Sequence, residues 1–487
     1  MYPARPAAVV VLAAGEGTRM KSSIPKVLHT VGGRSLVHHA VAAAQAIAPE
    51  HLVVVVGHGR DQVIHHLAQV APSVTTVVQD QQRGTGHAVQ CALAELPDLH
   101  GTVVITYGDV PLLTSEVLQG LLDTHAEQGG GATILTAHLA DPTGYGRVLR
   151  ADDGSVAAVV EQKDANDEQR AVREVNSGVY AFDADSLRMG LAQLDTDNSQ
   201  GELYLTDVVA HAVGAGRRVG ALAVADTWAV EGVNDRVQLA AIHAELNRRT
   251  LERWMRDGVT IVDPATTWVE ADVLLGRDVV LEPATLLRGA TSVAVGATVG
   301  PNCLLVDTLV GEGAHISSTT SYGAVIGPEA TVGPYTYLRP GTVLGRGAKA
   351  GGFVELKEAQ LGDGAKVPHL SYVGDATIGE GANIGAGTIF ANYDGVAKHR
   401  SRVGAHSFIG SDSVLVAPAD IADGAYVAAG SAVTGRVGPG ELAVARGKQR
   451  NIAGWVSRRR AGTRTAQAAE KAAQQGAARR EEKRSDQ

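Results

Sequence analysis

Two different rhythms of apolar positions divide this chain. From Ala7 to about Trp228, short β-branched runs alternate with longer helical stretches: Val9-Val10-Val11-Leu12, then Val53-Val54-Val55-Val56, then Val103-Val104-Ile105-Thr106. Runs that are apolar throughout belong to strands covered on both faces, so the pattern predicts a parallel sheet with helices on both sides, a Rossmann-like α/β domain. Asn234 to Met255 then change to three- and four-residue steps, with Val237, Ala241, Leu246, Leu251 and Trp254 set between charges, which predicts a connecting helix.

After Gly258 the period becomes six: Ile326, Val332, Leu338 and Leu344 fall in phase, and so do Val403, Ile409, Leu415, Ile421, Val427 and Val433. Six suits neither strand alternation nor the helical turn; hexapeptide repeats build a parallel β-helix, an all-β second half. The rhythm falters at Gly351–Glu358 and at Ala391–Arg402, and interruptions of a solenoid map to loops on one face, often the binding face. Beyond Val456, large apolar residues all but vanish while Ala, Gln, Arg and Glu dominate, so a disordered tail or a frayed helix is expected. The expected plan is thus residues 1–233, a linker helix over 234–257, a β-helix over 258–456 and a basic tail over 457–487.

Composition sharpens this plan. A chain of 487 residues exceeds what one core organises, and 58 glycines against 4% aromatics fit tightly turned repeats. Cys91 and Cys303 lie far apart with no CxxC or Cys/His spacing, so neither a disulfide framework nor a zinc site is expected, and a reducing cytoplasm fits best. Met1 to Pro6 show no secretory pattern, and no apolar run approaches the roughly 18 residues of a membrane span. The net charge of −9 divides into +5 on the tail from Ser457 and −14 on the rest, so nucleic acid is not an expected partner of the body.

The candidate chemistry of the first half begins at Leu12-Ala13-Ala14-Gly15-Glu16-Gly17-Thr18-Arg19-Met20, directly after the first strand. A glycine-rich turn there lets backbone N–H groups approach phosphates, and Arg19 and Lys26 add positive charge. It is not a Walker A loop, and Met20 breaks the dinucleotide GxGxxG pattern. Gln79 precedes Gly84-Thr85-Gly86-His87, and Tyr107-Gly108-Asp109 puts Asp109 at the carboxyl end of a strand, where ligands of open α/β sheets bind. Asn234 offers a second oxygen; one carboxylate with one amide oxygen suits Mg²⁺ bound with nucleotide phosphates.

In the second half, Lys366-Val367-Pro368-His369-Leu370-Ser371-Tyr372 carries a histidine where the repeat resumes. Arg339, Lys357 and Tyr372 supply phosphate-binding groups, while Asn383, Asn392 and Tyr393 supply neutral polar contacts.

Together these segments resemble the bacterial family of bifunctional N-acetylglucosamine-1-phosphate uridylyltransferases/glucosamine-1-phosphate acetyltransferases, over roughly Ala7 to Trp455. The resemblance implies that Leu12, Ala13, Ala14, Gly15, Lys26, Gln79, Gly84, Thr85, Tyr107, Gly108 and Asp109 hold UTP. Gly144, Glu161 and Asn176 would contact the sugar, and Asp109 and Asn234 would hold Mg²⁺. A sugar phosphate is already anionic, so its attack on the α-phosphorus needs positioning and charge neutralisation rather than a base, which suits Arg19 and Lys26.

In the second half the resemblance implies a left-handed β-helix in which His369 takes the proton from the amine of glucosamine 1-phosphate as it attacks acetyl-CoA; an imidazole suits that role near neutral pH. Arg339, Lys357, Tyr372 and Asn383 would bind the sugar phosphate. Ala386, Asn392, Tyr393, Ser411, Ala429 and Arg446 would line the acetyl-CoA groove, with Glu355 a candidate to orient His369. Family members assemble as homotrimers with acetyltransferase sites between subunits. Trp455 belongs either to an arm completing the CoA site or to a solvated terminus. Two other readings make the β-helix a non-catalytic assembly module, or the whole chain a sugar-nucleotide-binding scaffold; His369, Tyr372 and Asn392 argue against the first, and Lys26, Asp109 and Asn234 against the second. Only the resemblance supplies uridine as the base.

Overall fold

The computed structural model describes residues 4–485. In the first half, β1 (Ala8–Ala13) leads through the short hairpin β2 (Thr30–Val31) and β3 (Arg34–Ser35) into α1 (Leu36–Ala46). There follow β4 (His51–Val56), α2 (Arg60–Val70), β5 (Thr75–Val78), α3 (Thr85–Ala94), β6 (Thr102–Tyr107), α4 (Ser115–Gln128) and β7 (Ala132–His138). The hairpin β8 (Arg147–Arg150) and β9 (Val156–Val160) comes next, then α5 (Asp167–Arg170), β10 (Glu174–Asp183), α6 (Ala184–Leu191), α7 (Thr206–Gly214) and β11 (Val219–Val224).

The sheet order β11-β7-β10-β6-β1-β4-β5 explains the unbroken apolar runs. Val10, Val53 and Ile105 point into one buried layer, while Val9, Val54 and Val104 point into the layer on the other face. The expectation of a wholly parallel sheet needs correction. β10 runs antiparallel between β6 and β7, because the α4 crossover skips one strand position and β10 later fills it. The sheet is therefore mixed.

The linker α8 (Arg236–Arg256) begins at Asp235, whose carboxylate accepts from the N–H groups of Val237 and Gln238 and caps the helix. Its far end docks on the β-helix: the Asn247 amide donates to Thr267 O (2.9 Å) and accepts from Val269 N (3.1 Å). Arg249 ties Glu245 of α8 to Asp226 of the first domain. The β2–β3 turn meets the first coil as well, through Ala271 N to Gly32 O (2.9 Å) and an Arg34–Asp272 ion pair.

From Thr260 to Ala443 short strands stack in parallel, three per coil. Leu275 pairs with Val293, Leu281 with Val299 and Leu287 with Leu305, each 18 residues on. One face is an eleven-stranded ladder, and an eighteen-stranded sheet of two interleaved ladders wraps the others. The six-residue rhythm marks the inward positions. Leu281, Val299, Ile316, Val332, Ala350, Val367, Ile384, Ile409 and Val427 form one buried column.

The two faltering segments have different causes. Strands Lys349–Gly352 and Glu355–Leu361 run through Gly351–Glu358, so no loop interrupts the coil there. One residue is missing instead: Leu338 pairs with Leu356, 18 on, but Leu344 with Leu361, only 17 on, and the corner is taken up by Glu358 at φ 45°. The second segment is a true insertion. Ile378 pairs with Val403 and Phe390 with Leu415, both 25 residues on, and the added chain closes on itself through a Tyr393–Lys398 bridge.

Of the two alternatives expected for the tail, disorder or a frayed helix, the tail takes the helical one. It forms α9 (Trp455–Arg459) and α10 (Arg464–Ser485), in keeping with the high helix propensity of Ala, Gln, Arg and Glu, although among its residues of described burial only Ala466 is buried. Among the described residues, no helix is long and apolar enough to cross a membrane.

Candidate active sites

At the carboxyl end of the sheet a cavity of about 400 Å³ opens between the β1 turn, the start of α3 and the end of β6. Leu12, Ala13, Ala14, Gly15, Lys26, Gln79, Gly84, Thr85, Tyr107, Asp109 and Asn234 all line it, so eleven residues expected from the sequence meet at one place. Backbone pairing explains how distant segments converge. Gly108 N donates to Leu12 O (2.9 Å), and Val233 N donates to Asp109 O (2.9 Å), which sets Asn234 beside Asp109.

Charge inside the cavity is balanced by the chain's own groups. Lys26 Nζ bonds Asp109 Oδ2, and Arg19 Nη2 donates to Asn234 Oδ1 (2.9 Å). Two hard oxygens that already attract cations suit a divalent ion that also carries phosphate oxygens and water. Among the described residues no cluster of three or more His, Cys, Asp or Glu forms a closed metal cage. An open two-ligand site is the kind that shares its metal with a nucleotide.

The α3 entry is tightly built. Gly84 stands at φ 106°, and a side chain there would lie 2.6 Å from Leu203 O, so only glycine fits. Gly86 N donates to Leu203 O (2.8 Å) and Leu205 N to Thr85 Oγ1 (3.1 Å), tying the segment that carries Glu202 to the start of α3. Glu202 joins the lining, and Gln82 reaches in with its amide donating to Ala14 O (2.7 Å). Neither residue was expected from the sequence. Gln82 sits in a polar run without a motif, and Glu202 lies far downstream of the other lining segments.

Gly144, Glu161 and Asn176 do not line this cavity but stand on its β8–β10 side. Glu161 accepts from Thr206 Oγ1 (3.4 Å); burial raises its carboxyl above the usual range. Asn176 donates to Tyr180 Oη (2.7 Å) and accepts from Gly178 N (3.0 Å), and Gly144 N donates to Gln162 Oε1 (3.2 Å). Tyr107 divides this group from the cavity. Burial, then the charges of Glu161 and Asp109, push its phenol far above the usual tyrosine range, so it acts as a neutral wall.

The second constellation lies on the outside of the solenoid, on successive coils. Arg339 Nη1 donates to Glu355 Oε1 (3.1 Å), Lys357 Nζ to Asp375 Oδ1 (3.0 Å), and the Asn392 amide to both Asp375 Oδ2 and Tyr372 Oη (3.3 Å). Glu355 therefore serves Arg339 rather than His369. His369 ends strand Lys366–His369 on the neighbouring face, exposed, and Ala386 follows one coil on, where Gly387 N donates to His369 O (3.3 Å). Asn383 pairs with Lys366 on that same face.

Ala386, Ser411, Ala429 and Arg446 continue the row along a corner. Asp412 N donates to Ala386 O, Gly430 N to Ser411 O and Arg446 Nη1 to Ala429 O, each at 2.8 Å. Tyr393 projects on the inserted loop with its hydroxyl on Gly395 O (2.6 Å). Trp455 is half-exposed under the guanidinium of Arg460, 5.5 Å away, within its own terminal segment. Asp375, at the centre of the bonded patch, was not expected from the sequence.

A mixed α/β domain with a polar cavity beneath a glycine-rich turn, carried on a hexapeptide solenoid, defines a nucleotidyltransferase joined to a β-helix transferase. Residues 9–177 match the MobA-like NTP transferase domain. Along nearly the whole chain the sequence is similar to proteins named bifunctional protein GlmU. It is 58% identical to that of Kineococcus radiotolerans over 471 residues, covering 96% of both chains. It is 56% identical to that of Streptomyces avermitilis, covering 96% of this chain and 98% of the relative, and 56% identical to that of Corynebacterium aurimucosum, covering 96% of both. The chain belongs to the GlmU family and is a bifunctional enzyme of UDP-N-acetylglucosamine synthesis, an acetyltransferase and a uridyltransferase.

Proposed function

We propose that the two activities divide between the two sites just described. The N-terminal cavity takes UTP and N-acetylglucosamine 1-phosphate, and the solenoid patch takes glucosamine 1-phosphate and acetyl-CoA. The observation that carries this reading is the convergence of Lys26, Asp109, Asn234 and the Gly15 turn on one cavity, with Arg339, Lys357 and Tyr372 on a second, separate surface.

In the cavity, the sugar phosphate oxygen attacks the α-phosphorus of UTP and pyrophosphate leaves. Lys26 and Arg19 neutralise phosphate charge, and the backbone of Leu12 to Gly15 cradles the nucleotide. Gln79 and Gln82 offer amides for the base edge, and Gly144, Glu161 and Asn176 complete the sugar side. Asp109 and Asn234 would hold Mg²⁺, which supplies further neutralisation of the phosphates when bound.

On the solenoid, Arg339, Lys357, Tyr372 and Asn383 hold the sugar phosphate. His369 removes a proton from its amine as nitrogen attacks the thioester carbonyl and CoA thiolate departs. The small residues Ala386, Ser411 and Ala429 leave room along the corner for a pantetheine arm, and Asn392, Tyr393 and Arg446 flank it. This patch lies on open surface in one chain. Beside His369, Leu370 is 61% exposed, and on the preceding coils Phe353 (62%) and Tyr335 (64%) stack in the open, so a homotrimer that covers this corner and closes the site is part of the proposal. A cytoplasmic location belongs to the same reading and is supported by the use of UTP and acetyl-CoA as co-substrates.

The test uses the purified full-length chain, with pyrophosphate release from UTP and free CoA thiol followed in parallel. Lys26→Ala is expected to abolish the first signal alone and His369→Ala the second alone. Loss of both signals in either variant, or of neither, refutes the division.

A further inference from the structure

The bonded patch on the solenoid has a carboxylate at its centre that neither binds a substrate in the scheme above nor faces solvent. Asp375 is 6% exposed and stands at φ 49°. Its Oδ1 accepts from Lys357 Nζ (3.0 Å) and its Oδ2 from the Asn392 amide. Burial alone would raise this carboxyl, but the hydrogen bonds from Lys357 and Asn392 outweigh it and hold the group below the usual range. Lys398, on the inserted loop, adds a second positive charge nearby. Even the preceding residue is fitted to the cluster. A side chain at Gly374 would collide with the Asn392 amide and the Tyr372 hydroxyl.

An ionised carboxylate only accepts hydrogen bonds, so it gives the network a direction. Asn392 must turn its NH₂ group inward to reach Asp375, and its second N–H goes to Tyr372 Oη (3.3 Å). The amide oxygen of Asn392 is then left facing away from the cluster as an acceptor. Tyr372, having accepted, keeps its own proton to donate. Lys357 is held by its bond to Asp375, with Glu358 Oε1 at the longer ion-pair distance of 3.7 Å, so an anion can still reach its ammonium group.

Resting on the assignment of acetyl transfer to this face, we propose that Asp375 is a positioning residue for acetyl transfer. It aims Lys357 and the Tyr372 hydroxyl as donors toward the sugar phosphate, and fixes the Asn392 carbonyl as an acceptor for an N–H of the amine or of the pantetheine arm. Replacing Asp375 by asparagine keeps the shape and removes the direction. The asparagine has one oxygen for two donors: kept on Lys357, it leaves an NH₂ facing the Asn392 donor, so Asn392 flips and turns an N–H outward where an acceptor is needed; turned to Asn392, it sets an NH₂ against the Lys357 ammonium and releases Lys357.

The experiment is Asp375→Asn in the full-length enzyme, with CoA release measured against both substrates, pyrophosphate release as an internal reference, and the unfolding temperature recorded. The expected result is a fall of about tenfold or more in kcat/KM for acetyl transfer, with a raised KM for glucosamine 1-phosphate. Uridyl transfer and the unfolding temperature stay unchanged. In an Asn392→Ala background the same change costs less than in the wild type, because the part of the aim that runs through Asn392 is gone and only the Lys357 contact remains. Acetyl transfer near the wild-type rate overturns the proposal, as does full additivity with Asn392→Ala. A loss accompanied by a lower unfolding temperature overturns it too, since it reduces Asp375 to a structural tie. No CoA release from the wild type overturns the assignment beneath it as well, which sets the two failures apart.

Discussion

Gly178→Ala tests how the wall between the two halves of the N-terminal site is held. Gly178 lies on β10 at φ 82°, beside the irregularity between Asn176 and Tyr180. A methyl group there would sit 2.5 Å from Tyr107 Cε2 and 3.2 Å from two further ring atoms. Carbon atoms prefer a separation of about 3.5–4.0 Å, so the ring edge must retreat by about 1 Å. The open direction is the cavity that Tyr107 lines. A misplacement of about 1 Å in a group that shapes the substrate pose costs about a hundredfold in rate. The left-handed backbone adds about 1–2 kcal/mol of destabilisation confined to β10. Pyrophosphate release should therefore fall about a hundredfold in kcat/KM while CoA release from the same preparation stays within about twofold, because the acetyltransferase patch is remote from β10. Unchanged uridyl transfer would refute the steric reasoning. Equal loss of both activities would show that the effect is general unfolding.

Further outcomes follow from the linker and the proposed metal site. Hydrogen bonding by Arg248, with Arg249 adding to it against burial, lowers the Glu245 carboxyl to about 2 from 4.5. That gap converts to about 3 kcal/mol, which screening at the mostly exposed Arg248 reduces to about 1–2 kcal/mol. Because the folded-state value is the depressed one, this stability is present in full above about pH 4.5 and is lost as pH falls toward 2. Glu245→Gln should therefore lower the stability seen by denaturant unfolding at pH 7, and its deficit should shrink below pH 4.5; a deficit independent of pH would refute the linkage. Removal of divalent ions with a chelator should abolish pyrophosphate release and leave CoA release intact, with Mg²⁺ restoring the former; uridyl transfer that survives chelation would remove Asp109 and Asn234 from a metal-binding role.

The solenoid was legible because its core is one-dimensional. A residue such as Ile409 is buried by its counterparts Ile384 and Val427 in the coils above and below, so the inward phase repeats along the sequence. The interruption at Gly351–Glu358 was misread for a related reason. A missing residue at a corner and an inserted loop both break the phase, and only the pairing of Leu344 with Leu361 tells them apart. The antiparallel β10 was invisible because strand direction leaves no mark on a run buried on both faces. In the N-terminal cavity the glycine turn, Gly84 and Asp109 carried backbone constraints that a sequence displays. Gln82 and Glu202 carry none, since they arrive through loop packing. Asp375 had a signal that went unused: it lies one coil after Lys357 and one coil before Asn392.

That spacing has a consequence for how such a site changes. Arg339, Lys357, Asp375 and Asn392 lie on four successive coils, with Asp375 one residue past the Gly374 that pairs with Lys357, so the parts of the patch stand on rungs of a ladder about 4.8 Å apart. The separation between Arg339 at one end of the patch and Asn392 at the other is set by counting rungs, as on a ruler, and not by loop length. Small insertions and deletions are absorbed at corners, as at Glu358, and leave the rungs in register. Only the gain or loss of a whole coil would lengthen or shorten that span, and then by a full rung, so on the proposed assignment a solenoid enzyme of this kind adjusts its substrate span in whole numbers.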